Sequence, residues 1–147
     1  MCLIKRFCYW LSLLFIIPKS LFALDIKERP DDQLLIMTVR LEREVLHDGI
    51  LTYVDQGKVY LPLSEMTESL DLPIEVRYED GYAEGWFGSE DNRFILDIGK
   101  QLINIGGSEI ETDWAKVELH EFDIYLESDL FKQWFELEFD VFLNALV

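Results

Sequence analysis

The chain is poor in cysteine: only Cys2 and Cys8 among 147 residues carry a thiol, and both lie at the very start. Beyond them no sulfur remains for a disulfide framework, a thiolate nucleophile or a cysteine-ligated metal. Histidine is as scarce, with His47 and His120 alone. A zinc site asks for three or four ligands, and two histidines this far apart have no helical ligand spacing. Positive charge is short too: 13 Lys and Arg stand against 29 Asp and Glu, a formal net charge of −16. Such a surface repels phosphates, so nucleic acid and anionic lipid are not expected partners. No apolar run reaches the roughly 20 residues of a membrane-spanning helix. Phosphate-cradling glycine loops and glycine-flanked nucleophilic serines are missing as well, since Ser64, Ser69, Ser89, Ser108 and Ser128 have no such neighbours. Apolar residues, in contrast, make up 50% of the chain and aromatics 14%. That is enough to build a core and to exclude disorder despite the charge.

Both cysteines belong to an opening segment of distinct character. Lys5 and Arg6 precede the apolar run 7–17, Pro18-Lys19-Ser20 breaks it, and Leu21-Phe22-Ala23 leads into the polar Asp25. A basic start, an apolar stretch of about 7–15 residues and a small residue at its end form the secretory signal pattern. Residues 1–23 are therefore expected to be a signal peptide cut after Ala23, sending the protein to the periplasm or out of the cell. An uncleaved anchor is the competing reading, because Leu21 is large for its position. Cleavage would remove Cys2, Cys8, Lys5, Arg6 and Lys19, leaving a thiol-free and still more acidic chain of single-domain length.

Residues 24–32 read as a polar lead-in, and 33–147 as one domain. From Leu35 the pattern alternates, with Leu35, Met37, Val39 and Leu41 on one face of an expected strand. Asp55-Gln56-Gly57 reads as a hairpin connection. Ser64 and Asp129 are expected to cap two short helices, the first bounded by Pro73. Glu79-Asp80-Gly81 reads as a tight turn, residues 88–92 as a longer one, and 117–126 as a single strand. The fold class is α+β, mostly antiparallel sheet with two short helices.

A short unit recurs. Aligned at constant offset, Tyr60, Leu61, Leu72 and Val76 match Tyr125, Leu126, Leu137 and Val141, while Met66, Leu70 and Ile74 match Phe131, Phe135 and Phe139. Each copy, 60–76 and 125–141, is expected to fold as a strand–helix–strand unit. What repeats is packing positions, which describes a scaffold.

The stretch VYLPLSEM…LDLPIEV at 59–76 resembles the copper amine oxidase N-terminal-like (stalk) domain. Together with YAEGWF at 82–87, RFILD at 93–97 and DIYLESDLF…WFELEFDV at 123–141, it is similar to the periplasmic N-terminal region of usher-like, fimbrial usher-related outer-membrane proteins. The resemblance implies a non-catalytic exported module tied to surface-appendage assembly, with an outer-membrane or appendage protein as partner and no copper chemistry. Usher-like proteins continue into a transmembrane β-barrel of at least about eight strands. No such strands follow here, so either a free-standing module or the remnant of a shortened gene is expected.

The polar residues offer no stronger site. His47-Asp48 and His120-Glu121 are neighbours, and neighbours on a strand face opposite ways, so surface or turn roles are expected for both histidines. Glu79-Asp80-Gly81 and Glu90-Asp91-Asn92 lack the ligand register of a calcium loop and suit turns on conformational grounds. No catalytic residue, cofactor or metal ligand is assigned. The aromatics carry the docking expectation: Trp86 and Phe87 are adjacent in a strand, so one ring faces outward, and Trp114 lies in an irregular stretch. A secreted inhibitor or an envelope-polysaccharide-binding domain is the alternative reading.

Overall fold

The computed structural model describes residues 24–41 and 43–140; the expected signal segment 1–23 and Val141 of the second repeat copy lie outside them. Chain order is β1 (Leu34–Leu41), β2 (Glu44–Asp55), β3 (Lys58–Pro62), α1 (Leu63–Ser69), β4 (Ile74–Arg77), β5 (Tyr82–Phe87), β6 (Ser89–Asp97), β7 (Leu102–Ile105), β8 (Ser108–Glu109), β9 (Val117–Leu119), β10 (Ile124–Glu127) and α2 (Ser128–Phe135). The first sheet runs β1-β2-β3-β10-β9 and the second β4-β5-β6-β7-β8. Every named strand pair is antiparallel. The α+β class with antiparallel sheet and two short helices is what the patterning predicts.

Turn chemistry sets the registers. Gln56 and Gly57 both take positive φ, 50° and 81°, giving the two-residue loop whose twist suits β2 and β3. Gly81, at φ 61°, closes the Glu79-Asp80 turn before β5. Gly85 is required by proximity: a Cβ there would sit 2.0 Å from the Pro73 carbonyl oxygen, where the chain enters β4 beside β5.

Helix α2 joins the two sheets. Leu130, Phe131, Trp134 and Phe135 recur on one face and are all buried. Phe135 meets Phe87 at 5.0 Å and Phe94 at 5.1 Å, while Trp134 meets Phe94 at 6.0 Å between ring centres. Inner-face residues Ile50, Val59, Leu61, Ile124 and Leu126 of the first sheet complete the same core. Fully burying each such side chain contributes about 1.5–3 kcal/mol.

The helix starts differ from expectation. Both helices begin one residue before the assigned caps, so Ser64 and Asp129 lie inside the first turn; the cap positions are Pro62 and Glu127, without side-chain capping bonds. In α1 the missing acceptor comes from elsewhere in the chain, because Asp123 Oδ1 accepts the Ser64 amide at 3.1 Å. Residues 136–140, after the left-handed Glu136 that ends α2, form no strand.

One further expectation is refined and another corrected. Residues 89–92 belong to β6, which starts at Ser89, but its register with β5 jumps between Trp86–Arg93 and Phe87–Ser89. The chain thus reverses across the expected 88–92 stretch, with Gly88 at φ 72° and the Asn92 side chain donating to the Phe87 carbonyl at 3.1 Å. Residues 117–126 are not one strand. The His120 amide donates to the Asp123 carbonyl at 2.9 Å, folding 120–123 into a turn between β9 and β10.

Candidate functional site

The outer face of the first sheet gathers the polar and aromatic chemistry. Residues alternate along a strand, so Leu61 and Leu126 point to the core while Tyr60 and Tyr125 point away from it. Tyr53 and Tyr60 face each other across β2 and β3, and Tyr125 faces Glu118 across β10 and β9. His120, on the adjoining turn, stacks on Tyr53 at 5.1 Å and meets Tyr125 at 4.5 Å; Tyr53 and Tyr125 are 5.0 Å apart. The Tyr125 hydroxyl donates to the Leu51 carbonyl at 3.2 Å.

The polar stretch before β1 lies against this face. Ile26 forms a parallel bridge with Leu119, and the Lys27 amide donates to the Leu119 carbonyl at 2.7 Å. Arg29 donates through Nε and Nη2 to the two Glu118 oxygens, at 2.7 and 2.6 Å, and its guanidinium lies 4.1 Å over the Tyr60 ring. Lys27 and His120 also bond Glu118. Burial by itself would raise the Glu118 carboxyl; the hydrogen bonds from Arg29, His120 and Lys27 outweigh it and hold the group well below the usual carboxylate range. Such a charge-assisted fork fixes the segment in place.

Beside this clamp is a cleft of about 720 Å³, lined among others by Leu51, Tyr53, Glu65, Phe122, Asp123 and Tyr125. Asp123 is buried and accepts from the Ser64 amide and hydroxyl and from the Ile124 amide. Burial pushes its carboxyl up in spite of those bonds. Glu65 is raised as well, by burial and then by Asp123. Its Oε2 is enclosed without a hydrogen-bond partner among the described residues.

Strand β1 borders the same face. It terminates the first sheet, so its outer backbone groups have no strand partner among the described residues. Ile36 is 75% exposed and stands opposite Leu51, itself 42% exposed and part of the cleft wall; Leu35 is 41% exposed. The strand contains no carboxylate, in a chain otherwise rich in them. Charge is the usual protection of a free edge, and here Arg40 alone supplies it.

No known protein family, curated protein or solved structure matches this chain. The residues singled out by sequence reasoning are scattered. Phe87 packs against Phe135 in the core, and Trp86, next to it, is half-buried and outside the core cluster. Trp114 borders a separate cleft of about 960 Å³ with Asp25, Lys100 and Gln101. None of the three lines the cleft beside Tyr53. His120 occupies the 120–123 turn, one of the two roles expected for it, and is buried there. Its acidic partner is Glu118, two positions away, and not the adjacent Glu121. That i, i+2 spacing was the available signal, since alternate residues share a strand face. Among the described residues no group of three or more His, Cys, Asp or Glu is placed to hold a metal ion, and no helix is long and apolar enough to cross a membrane.

Proposed function

We propose that this chain is a non-catalytic, exported binding module whose partner docks as an extended segment on the β1 edge. By the resemblance described above, that partner is an outer-membrane or appendage component in usher-type assembly, and residues 1–23 are the signal that delivers the module to the periplasm. The observation that carries this reading is the β1 edge, which has no strand partner among the described residues, with Ile36 and Leu35 exposed and no carboxylate along it. A strand added there gains main-chain hydrogen bonds along β1 and apolar contact with Ile36 and Leu51.

The same reading takes the core of the module as a duplicated unit. Leu61 and Leu126, equivalent by the sequence offset, face each other in the β3–β10 ladder, flanked by Tyr60 against Glu127 and Pro62 against Tyr125. Equivalent positions are thus related by a local two-fold axis through the Leu61–Leu126 pair, as two copies of one unit would be. Helices α1 and α2 follow these strands directly. Trp114 in its own cleft favours the polysaccharide-binding alternative, because a half-buried indole flanked by Gln101 and Asp25 suits a sugar ring.

Capture from periplasmic and outer-membrane extracts tests the proposal, using tagged full-length protein and its Ile36→Asp variant at low and high salt. The reading expects an outer-membrane or appendage protein that survives high salt and is lost with Ile36→Asp. Capture of a basic hydrolase lost at high salt would favour the inhibitor alternative. Retention of a glycan by native protein but not by Trp114→Ala would favour the polysaccharide one.

A further inference from the structure

We infer that the cleft between Tyr53, Glu65 and Phe122 is a receptor for a cationic side chain, a lysine or arginine presented by the docked partner. The inference rests on the edge-docking reading for the source of that side chain, since Leu51 is shared by the apolar margin of the edge and by the cleft wall.

Three independent features converge on a cation. First, the walls are aromatic: Tyr53 and Tyr125 are in ring contact, and Phe122 projects from the 120–123 turn with 73% of its surface exposed. Ring faces attract ammonium and guanidinium groups, Arg more often than Lys. The molecule already uses this chemistry once, where Arg29 covers Tyr60. Second, the charge balance is negative. Glu28, Glu65, Glu121 and Asp123 line the cleft, and its two cations, Lys27 and Arg29, are both engaged by Glu118. Third, an acceptor stands ready. Glu65 is half-buried and its Oε2 is enclosed without a donor among the described residues. His47, whose charge acts on this carboxyl, makes no hydrogen bond to it, its own Nδ1 being enclosed and unbonded as well. Asp123, in contrast, is saturated by Ser64 and Ile124, so Glu65 is the group left to receive a donor.

A neutral or anionic occupant fits these walls less well. An anion would meet four carboxylates, and a purely apolar group would leave Glu65 Oε2 unsatisfied. The partner segment is therefore one that combines an apolar residue for Ile36 with a basic residue for the cleft.

The test uses full-length protein and small probes, so it needs no partner and stands or falls separately from the capture experiment. N-acetyl-arginine methylamide is titrated while the ring resonances of Tyr53, Phe122 and Tyr125 are followed by NMR, with N-acetyl-norleucine methylamide as neutral isostere and putrescine as free polyamine. Saturable shifts of these rings with the arginine probe are expected, weakened about fivefold by Glu65→Gln and by Phe122→Ala, and absent with the norleucine probe. Putrescine binding more tightly than the arginine probe would overturn the assignment to a protein side chain. Equal binding of the norleucine probe, non-saturating shifts spread over the acidic surface, or full affinity in Glu65→Gln would overturn the site itself. Phe122 is solvent-exposed, so its variant folds even if the Glu65 variant does not.

Discussion

Arg29 and Glu118 are 89 positions apart in the chain, yet the Arg29 Nε and Nη2 donate to the two carboxylate oxygens of Glu118 at 2.7 and 2.6 Å. Both side chains are almost wholly buried. This fork is the main tie between residues 24–33 and the outer face of the first sheet. Breaking a buried pair from one side strands the other charge, so Arg29→Met should cost about 3–5 kcal/mol. The double variant Arg29→Met, Glu118→Leu should cost less than the two single changes combined. Urea unfolding of the four proteins checks this; strict additivity would mean the fork contributes no coupling.

Acid should act in two opposed stages. Glu65 and Asp123 have raised folded pKa values, so at neutral pH their ionisation opposes folding, and stability recovers as pH falls through those values toward the ordinary carboxylate range. Glu118 has a depressed one, so its contribution is full above the ordinary range and is lost as pH falls through the depressed value. Stability should therefore rise on mild acidification and collapse only in strong acid. Glu118→Gln should remove part of the acid collapse, and Glu65→Gln part of the mild-acid rise. Denaturant titrations across pH read both; a monotonic decline from pH 7 in the native protein contradicts the assignment.

Gly57, in the β2–β3 turn, and Gly85, within β5, should respond unequally to alanine. At Gly57 a Cβ meets nothing within 4 Å, and the cost is that of positive φ alone, about 1–2 kcal/mol. At Gly85 the Cβ would collide with the Pro73 carbonyl and Ile74 Cα, so β4 must move away from β5. Gly85→Ala should be the far more destabilising change by thermal melting. Similar melting temperatures for both variants would contradict the close approach.

Within α2, Phe131→Ala should cost about 3–5 kcal/mol because it opens a cavity under the buried face of the helix. Trp134→Phe should cost much less. The indole Nε1 is buried without a partner among the described residues, so removing it relieves an unmet donor and offsets part of the lost volume. Calorimetry of both variants distinguishes them, and an equal loss would mean that Nε1 is in fact bonded.

How much of this was legible depended on range. The alternation from Leu35, the short helix expected at Asp129 and the Gln56-Gly57 turn are local patterns, and each predicted its element. The 120–123 turn was missed because it contains neither glycine nor proline, and apolar Leu119 and Ile124 flank it like one continuous strand. The terminal place of β1 in its sheet was invisible for a different reason. That β1 ends its sheet depends on β10 inserting beside β3, a contact between distant segments. Arg29 and Lys27 likewise looked like a polar lead-in, because their partner Glu118 is brought near only by the fold. For Trp86 and Phe87 strand alternation puts one ring outward without saying which, and the irregular stretch around Trp114 assigns no face at all.

The most direct test of the central claim is photo-crosslinking from a benzophenone side chain placed at position 36, with position 93 on β6 of the second sheet as control, in living cells. Edge docking predicts one discrete adduct from position 36 to an outer-membrane or appendage protein, and none from position 93. An adduct of equal yield from position 93, or none from position 36 while the partner is still captured, would contradict it.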